Sequence, residues 1–176
     1  MRVLVAYSSK YGATRGIADR IGDRLRDAGH EVDVERCDAV EYPEGFDAFV
    51  IGSAAYMSNW RKEARKFVRR NRELLEQRPT WLFSSGPLGT ARVDKDGNDV
   101  LVGARPKQFE EYEDELHPRG TMVFFGALDP DKLRGPHKML HWMPENDALP
   151  TGDFRDWDAI DAWAEKVAAE LAKTPA

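Results

Sequence analysis

The sequence has a single cysteine, Cys37, so a disulfide framework is excluded and a reducing compartment is expected. It also lacks the run of about 18 apolar residues that a membrane-spanning helix needs. No apolar segment typical of a secretory signal stands at its start. These absences predict a cytoplasmic protein whose contact with a membrane, at its inner face, is at most peripheral.

An excess of positive charge is missing as well. The chain of 176 residues has 26 lysines and arginines against 31 aspartates and glutamates, and the net charge of −5 argues against nucleic acid as a partner. Hydrophobic residues make up 41% and charged residues 32%, which is typical of a globular protein. The length suits one full core, so residues 1–176 are predicted to form a single domain of undetermined oligomeric state.

Apolar strand patterns alternate with amphipathic helix patterns, which predicts an α/β fold with a parallel sheet between two helical layers. The predicted strands are Val3–Tyr7, Glu31–Cys37, Phe46–Ile51, Thr80–Phe83 and Thr121–Phe125, and the predicted helices are Ala13–Ala28, Trp60–Gln77, Pro106–Leu116 and Asp156–Lys173. The second strand alternates apolar and polar residues, as a strand at a sheet edge does. This position favours five strands in the order 2-1-3-4-5.

Three further features lie outside the strands. Trp157 and Trp163 fall on the apolar face of the last predicted helix and are expected in the core. The segments 84–120 and 127–155 are largely irregular, and loops of that length are usually functional or mobile. The basic residues from Arg61 to Arg72 are interpreted as a solvated helix face, with docking of an anionic partner as the alternative.

The first strand leads into a turn, Ser8–Thr14, that is followed at once by the first helix. Such a turn presents free backbone N–H groups and the positive end of a helix dipole, which together suit a phosphate. Ser8, Ser9 and Thr14 add hydroxyl groups, and Gly12 lets the backbone approach a ligand. The turn matches neither the Walker spacing nor the dinucleotide fingerprint. An ordinary turn with a capping threonine remains the alternative.

Two other segments follow strands at the same predicted edge of the sheet, Gly52–Trp60 and Ser84–Gly89. Each begins with small residues that let a flat ligand reach the backbone. Tyr56, Met57 and Trp60 are expected to supply a stacking wall. A phosphate site beside an aromatic slot predicts a flat phosphorylated cofactor such as flavin mononucleotide (FMN).

Several motifs together resemble the flavodoxin family, and in particular its branch of menaquinone-dependent protoporphyrinogen IX dehydrogenases. They are Ser8–Arg15, Val50–Ser53, Phe67–Val68, Phe125–Leu128 and Asp156–Trp157. The resemblance covers nearly the whole chain and is weakest over residues 86–118. It implies a flavodoxin-like three-layer αβα sandwich around a five-stranded parallel sheet.

The resemblance also implies FMN as the cofactor. The turn would hold the FMN phosphate through Ser9, Lys10, Tyr11, Gly12, Ala13 and Thr14. Two segments would flank the isoalloxazine ring, namely Ser53, Ala54, Ala55, Tyr56, Met57, Ser58, Asn59 and Trp60, and Ser85, Gly86, Pro87, Leu88 and Gly89. Catalytic residues stay unassigned, and no metal is implied.

The implied activity is that of an FMN-dependent oxidoreductase of heme biosynthesis. It would take electrons from a small organic substrate, such as a porphyrinogen, and pass them to a quinone or similar acceptor. The alternative is a non-enzymatic electron carrier between protein partners, which the acidic net charge fits.

The chain departs from the family in two places. Family members commonly carry a glycine in the loop after the third strand, whereas this loop reads Tyr56-Met57-Ser58-Asn59, so a left-handed backbone would cost more here. This difference disfavours a one-electron carrier. The second departure is the segment 129–150, where the family has a longer hydrophobic and basic insertion. Here His137–Met143 is predicted as a short amphipathic helix, and its His137 and His141 are interpreted as surface residues rather than metal ligands.

Overall fold

The computed structural model describes residues 1–132 and 150–174. The strands are β1 (Arg2–Ser8), β2 (Glu31–Arg36), β3 (Ala48–Tyr56), β4 (Asn59–Trp60), β5 (Thr80–Ser85), β6 (Gly120–Phe124), β7 (Ala127–Leu128) and β8 (Gly152–Asp153). The helices are α1 (Ala13–Asp27), α2 (Lys62–Arg70), α3 (Arg72–Gln77), α4 (Val100–Gly103), α5 (Gln108–Leu116) and α6 (Trp157–Leu171). The predicted helix His137–Met143 lies outside the described residues.

Five parallel strands form the main sheet in the order β2-β1-β3-β5-β6. Counted among the parallel strands alone, this is the predicted order 2-1-3-4-5, which is confirmed. The short strand β4 adds an antiparallel pairing to the end of β3 that was not predicted. Since β1, β3, β5 and β6 run in the same direction, their carboxyl ends share one edge of the sheet.

Two helical layers cover the sheet because its central strands are apolar on both faces. On one face α1 and α6 pack, with Ile21 and Trp163 among the buried residues. On the other face α2, α3 and α5 pack, with Phe67, Leu75 and Phe109 buried. Among the described residues, the structure has no helix long and apolar enough to cross a membrane.

The predicted helix Trp60–Gln77 is wrong in two respects. Trp60 belongs to β4, and the helical part is divided at Asn71, whose backbone (φ −111°, ψ 18°) leaves the helical region. The Asn71 side-chain amide donates to the carbonyl of Phe67 at 2.9 Å. A side chain that bonds the preceding turn competes with regular helix, which gives the division a local cause.

The predicted core position of Trp163 is confirmed, whereas that of Trp157 is wrong. Trp163 is 6% exposed and packs edge-on against Phe83 and Phe124. Trp157 opens α6 and is 36% exposed, with the guanidinium of Arg155 over its ring at 4.4 Å from the centroid. The first turn of the helix therefore carries its tryptophan at the surface, where a cation covers it.

Ion pairs tie α1 to α6 at the surface of one helical layer. Asp161 accepts two hydrogen bonds from Arg20, at 2.6 and 2.7 Å, and one from Arg24 at 2.7 Å. These bonds, those from Arg20 first, hold the pKa of the Asp161 carboxyl far below its usual range.

Asp161→Asn is expected to lower the free energy of unfolding at pH 7 by roughly 1 kcal/mol, because the two arginines lose their shared partner. A depressed pKa in the folded state stabilises only while the carboxyl is ionised, so the contribution is complete above the ordinary aspartate pKa of about 3.9 and declines below it. Urea unfolding at pH 7, 4 and 2 should therefore show a difference that persists down to pH 4 and shrinks below it, as the pH falls toward the lowered pKa of the folded state. Asp96→Asn is the control, since Asp96 is exposed, lies outside the helices, and its side chain forms no ion pair within the described part of the chain. A constant difference at all pH values would contradict the assignment.

Candidate functional site

The turn between β1 and α1 has the geometry of an anion cradle. Gly12 occupies the N-cap position of α1 with φ of +96°, a left-handed conformation that favours glycine. Its amide donates to the Ser9 hydroxyl at 3.1 Å. A Cβ built on Gly12 would meet no atom within 4 Å, so open space lies over the turn. The backbone of the turn is therefore open to a ligand.

Thr14 stands in the first turn of α1 with its hydroxyl buried. The residue is 0% exposed, and its Oγ1 has no hydrogen-bond partner among the residues that the structure describes. Thr14 thus forms no capping bond, so the alternative of an ordinary turn with a capping threonine is wrong. The first backbone amides of a helix also lack intrahelical partners. An orphaned hydroxyl beside such amides fits a phosphate group.

Ser8 does not belong to this cradle. Its hydroxyl accepts from Nε of Arg61 at 3.0 Å and donates to the Glu63 carboxylate at 3.2 Å. Arg61 also pairs with Glu63 at 3.2 Å and is only 21% exposed in its side chain. Arg61, the first of the basic residues between Arg61 and Arg72, is therefore held in a network with Ser8 and Glu63 and does not lie on a solvated face.

The rest of the basic block is exposed, as interpreted from the sequence. Lys62, Arg65, Lys66 and Arg69 lie on one side of a groove whose other side carries Glu111 and Glu115 of α5. Docking of an anionic partner on these residues stays the alternative, which the structure does not test.

An open cleft of about 660 Å³ lies at the carboxyl edge of the sheet, next to the cradle. The predicted residues that line it are Ser9, Lys10, Tyr11, Ala13, Thr14, Ala54, Ala55, Tyr56, Met57, Ser85, Gly86 and Leu88. The three predicted segments thus meet in one cleft. Gly12 opens into a neighbouring depression that it shares with Tyr11 and Arg155.

A fourth wall was missed among the predicted site residues. It consists of Gly126, Ala127, Leu128 and Pro150, which follow β6 or adjoin β8. The signal was present, because Phe125–Leu128 carried part of the family resemblance and follows a predicted strand at the same edge. The amide of Gly126 donates to the Pro87 carbonyl at 2.9 Å, which joins this wall to the segment after β5.

Six of the residues predicted to flank the ring do not line the cleft, namely Ser53, Ser58, Asn59, Trp60, Pro87 and Gly89, and two of these are fully buried. Trp60 is 1% exposed and packs edge-on against Phe109 and Tyr112, at ring-centroid distances of 5.5 and 5.7 Å. It is a core residue, so the prediction that it stacks on a ligand is wrong. Ser53 is 0% exposed and its hydroxyl accepts from the amide of Arg61 at 3.0 Å. Its side chain shapes the start of α2 rather than the cleft.

The cleft residues 54–57 lie on a β-hairpin rather than on a loop. β3 ends at Tyr56 and returns through Met57 (φ 50°) and Ser58 (φ 60°) into β4. Both turn residues are left-handed without being glycine, which costs roughly 1–2 kcal/mol for each. Met57 is 94% exposed at the tip. The missing glycine therefore has a structural consequence, namely a strained tip at the mouth of the cleft.

Ser58→Gly is expected to raise the free energy of unfolding by about 1 kcal/mol, because glycine adopts the left-handed conformation without the Cβ clash. The measurement is urea unfolding of the purified protein. Ser58→Ala is the matched control, since it removes the hydroxyl but keeps the Cβ, and no gain is expected from it. Equal stability of the glycine and alanine variants would show that the tip is unstrained.

The described side chains that line the cleft include no carboxylate, imidazole or thiol. Its titratable groups are Lys10, Tyr11 and Tyr56, and the Lys10 ammonium lies 5.1 Å from the centroid of the Tyr11 ring. Burial raises the pKa of the Tyr56 phenol, against the opposing charge of Arg61. Such a lining binds and orients a flat group. The cradle and cleft together fit FMN, with the phosphate at Thr14 and room for a ring beside Tyr56.

Comparison with known proteins agrees with this geometry. A family model described as a flavodoxin domain matches residues 4–151. The protoporphyrinogen IX dehydrogenase [quinone] of Escherichia coli K12 is 28% identical over 176 residues, which cover 96% of this chain and 95% of that protein.

Solved structures show the same fold. A flavodoxin from the domain Archaea superposes with a TM-score of 0.59 at 16% identity, over 98% of this chain and 99% of that one. The rubredoxin oxygen:oxidoreductase of Desulfovibrio gigas gives a TM-score of 0.62 at 13% identity, over 98% of this chain and 36% of that one. Since the family model covers most of the sequence, the chain belongs to the flavodoxin domain family and binds FMN.

Proposed function

We propose that residues 1–176 act as a single flavodoxin-like domain that oxidises a small organic substrate and passes the electrons through FMN to a quinone-type acceptor. The observation that carries this proposal is the junction of the cradle at Thr14 with a cleft walled by residues 54–57. The curated relative, similar over 96% of this chain, favours a porphyrinogen as the substrate.

The residues divide the work of binding FMN. Backbone amides of the turn and the hydroxyls of Ser9 and Thr14 would hold the phosphate, while Tyr56 and Leu88 would cover the ring from two walls. When bound, the flavin supplies the redox chemistry. The chain orients it and limits the access of water.

The nature of the electron acceptor determines where in the cell the protein would act. The relative's name includes a quinone, and a quinone-type acceptor in a lipid phase would be met at the cytoplasmic face of a membrane. Because no helix in residues 1–132 and 150–174 could span a bilayer, contact through these residues would be peripheral.

An electron carrier between protein partners is the second candidate. It is favoured by two adjacent exposed side chains at the mouth of the cleft, Tyr56 (40%) and Met57 (94%), which a partner protein would cover. In this case substrate turnover would be absent.

The two functions are separated by an assay of FMN-loaded protein with protoporphyrinogen and a menaquinone analogue. The enzyme is expected to reduce the quinone only when the porphyrinogen is present. A carrier would show no turnover and would accumulate one-electron-reduced flavin during stepwise reduction. A preparation that is colourless after incubation with FMN and removal of the unbound flavin would contradict both functions.

A further inference from the structure

Helix α5 holds the tip of the hairpin through Gln108, its first residue. The Oε1 atom of Gln108 accepts from the amide of Trp60 at 2.8 Å, and its Nε2 donates to Oδ1 of Asn59 at 3.2 Å. Gln108 is 7% exposed, and its bond with the amide of Trp60 is buried, whereas the bond to Asn59 is partly buried. The preceding amide, that of Lys107, donates to the Ser58 carbonyl at 2.9 Å. Sequence positions about fifty residues apart are thus joined at one point.

Both carbonyls of the strained turn are hydrogen-bonded. Nδ2 of Asn59 donates to the Met57 carbonyl at 2.9 Å, while the Ser58 carbonyl bonds to Lys107. Residues in a costly backbone conformation persist only where their surroundings fix them. Gln108 bonds the side-chain amide of Asn59, which in turn bonds the Met57 carbonyl, and it also accepts from the amide of Trp60. It therefore supports the turn through the two residues that follow it.

The support is rigid because α5 is anchored in the core. Phe109 and Tyr112 are 0% and 5% exposed and pack against Trp60 of the hairpin. The hairpin is therefore clamped by side-chain packing below and by hydrogen bonds at its tip. This gives part of the long segment 84–120 a definite structural task.

We propose that Gln108 is a positioning residue for the flavin ring. Tyr56 and Met57 line the cleft; Tyr56 ends β3, and Met57 is part of the clamped tip. A wall fixed before the ligand arrives lowers the ordering cost of binding. The inference rests on the proposed placement of the ring beside Tyr56, and it assigns to Gln108 a share of the affinity for the ring but none of the affinity for the phosphate.

The test replaces Gln108 by methionine, which keeps the side-chain length and removes both hydrogen bonds. Amide hydrogen exchange of the full chain without FMN is expected to become at least tenfold faster at Trp60 and Lys107 and to stay unchanged at Val50 in β3. Affinities for FMN and for riboflavin, measured by fluorescence titration, should fall by the same factor, about tenfold. Gln77→Met, at an exposed glutamine of α3, is the control and should change neither quantity.

Three results would overturn the proposed role of Gln108. Unchanged exchange at Trp60 would show that Gln108 does not clamp the tip. Faster exchange at Val50 as well would show a general loss of stability, and faster local exchange with unaltered flavin affinity would show that the tip does not position the ring. Any of these overturns the inference alone, whereas wild-type protein that binds no flavin overturns the proposed function.

Discussion

Replacing Thr14 by valine is expected to weaken FMN binding at least tenfold and, at the same time, to make the FMN-free protein more stable. A hydrogen bond to a charged group contributes about 1.5–3 kcal/mol, which corresponds to a change in Kd of roughly ten- to 150-fold. The hydroxyl of Thr14 is buried without a partner in the described structure, and such a group costs about 1–3 kcal/mol. Valine has nearly the same shape as threonine and replaces this hydroxyl by a methyl group, which needs no hydrogen-bond partner.

The opposite signs separate a ligand-binding hydroxyl from a structural one. Flavin fluorescence titration gives the affinity, and urea unfolding of the FMN-free protein gives the stability. Riboflavin, which lacks the phosphate, should bind the variant and the wild type equally.

Thr80→Val is the matched control, because Thr80 is equally buried but its hydroxyl donates to the carbonyls of Leu75 and Arg78, each at 3.0 Å. This variant is expected to lose stability and to keep its FMN affinity. A Thr14→Val protein with unchanged FMN affinity would remove Thr14 from the phosphate site.

The parallel sheet and its order could be predicted because their signals are local. Each central strand is a continuous apolar run, and the edge strand Glu31–Arg36 shows its position by alternation. The turn before α1 was equally legible, since Gly12 and Thr14 stand where a phosphate cradle needs them. Whether these residues hold FMN stays a prediction.

The hairpin could not be predicted, because its cause lies far away in the sequence. Trp60, Ala64 and Phe67 are spaced as on a helix face, and all three are buried in the structure. Burial of Trp60 is the same whether it ends a hairpin or begins a helix, so the apolar pattern does not distinguish them. The hairpin is fixed by the hydrogen bond that the amide of Trp60 donates to the side chain of Gln108, 48 residues later.

Replacing Gly52 by alanine is expected to destabilise the protein by about 3 kcal/mol, the largest effect on stability that we expect from a single methyl group. Gly52 lies in β3 directly opposite Phe83 of β5. A Cβ built on it would overlap the ring atoms of Phe83. The ring cannot move aside freely, because it packs against Phe124 and Trp163, each at 6.2 Å between ring centroids.

The measurement is urea unfolding, with Gly103→Ala in α4 as the control, since no atom lies within 4 Å of a Cβ there. Gly103→Ala is expected to change the free energy of unfolding by less than about 0.5 kcal/mol.

A second substitution tests the cause. If the ring of Phe83 is what excludes a side chain at Gly52, then Phe83→Leu should cost less in the alanine background than in the wild type, by roughly 1 kcal/mol of coupling. Additive effects would show that the strand itself, and not the ring, rejects the methyl group.

The sequence suggested that the small residue Gly52 admits a flat ligand to the backbone, whereas the structure places the ring of Phe83, a core side chain, over it. The loss should therefore occur in protein without FMN, before any ligand is added.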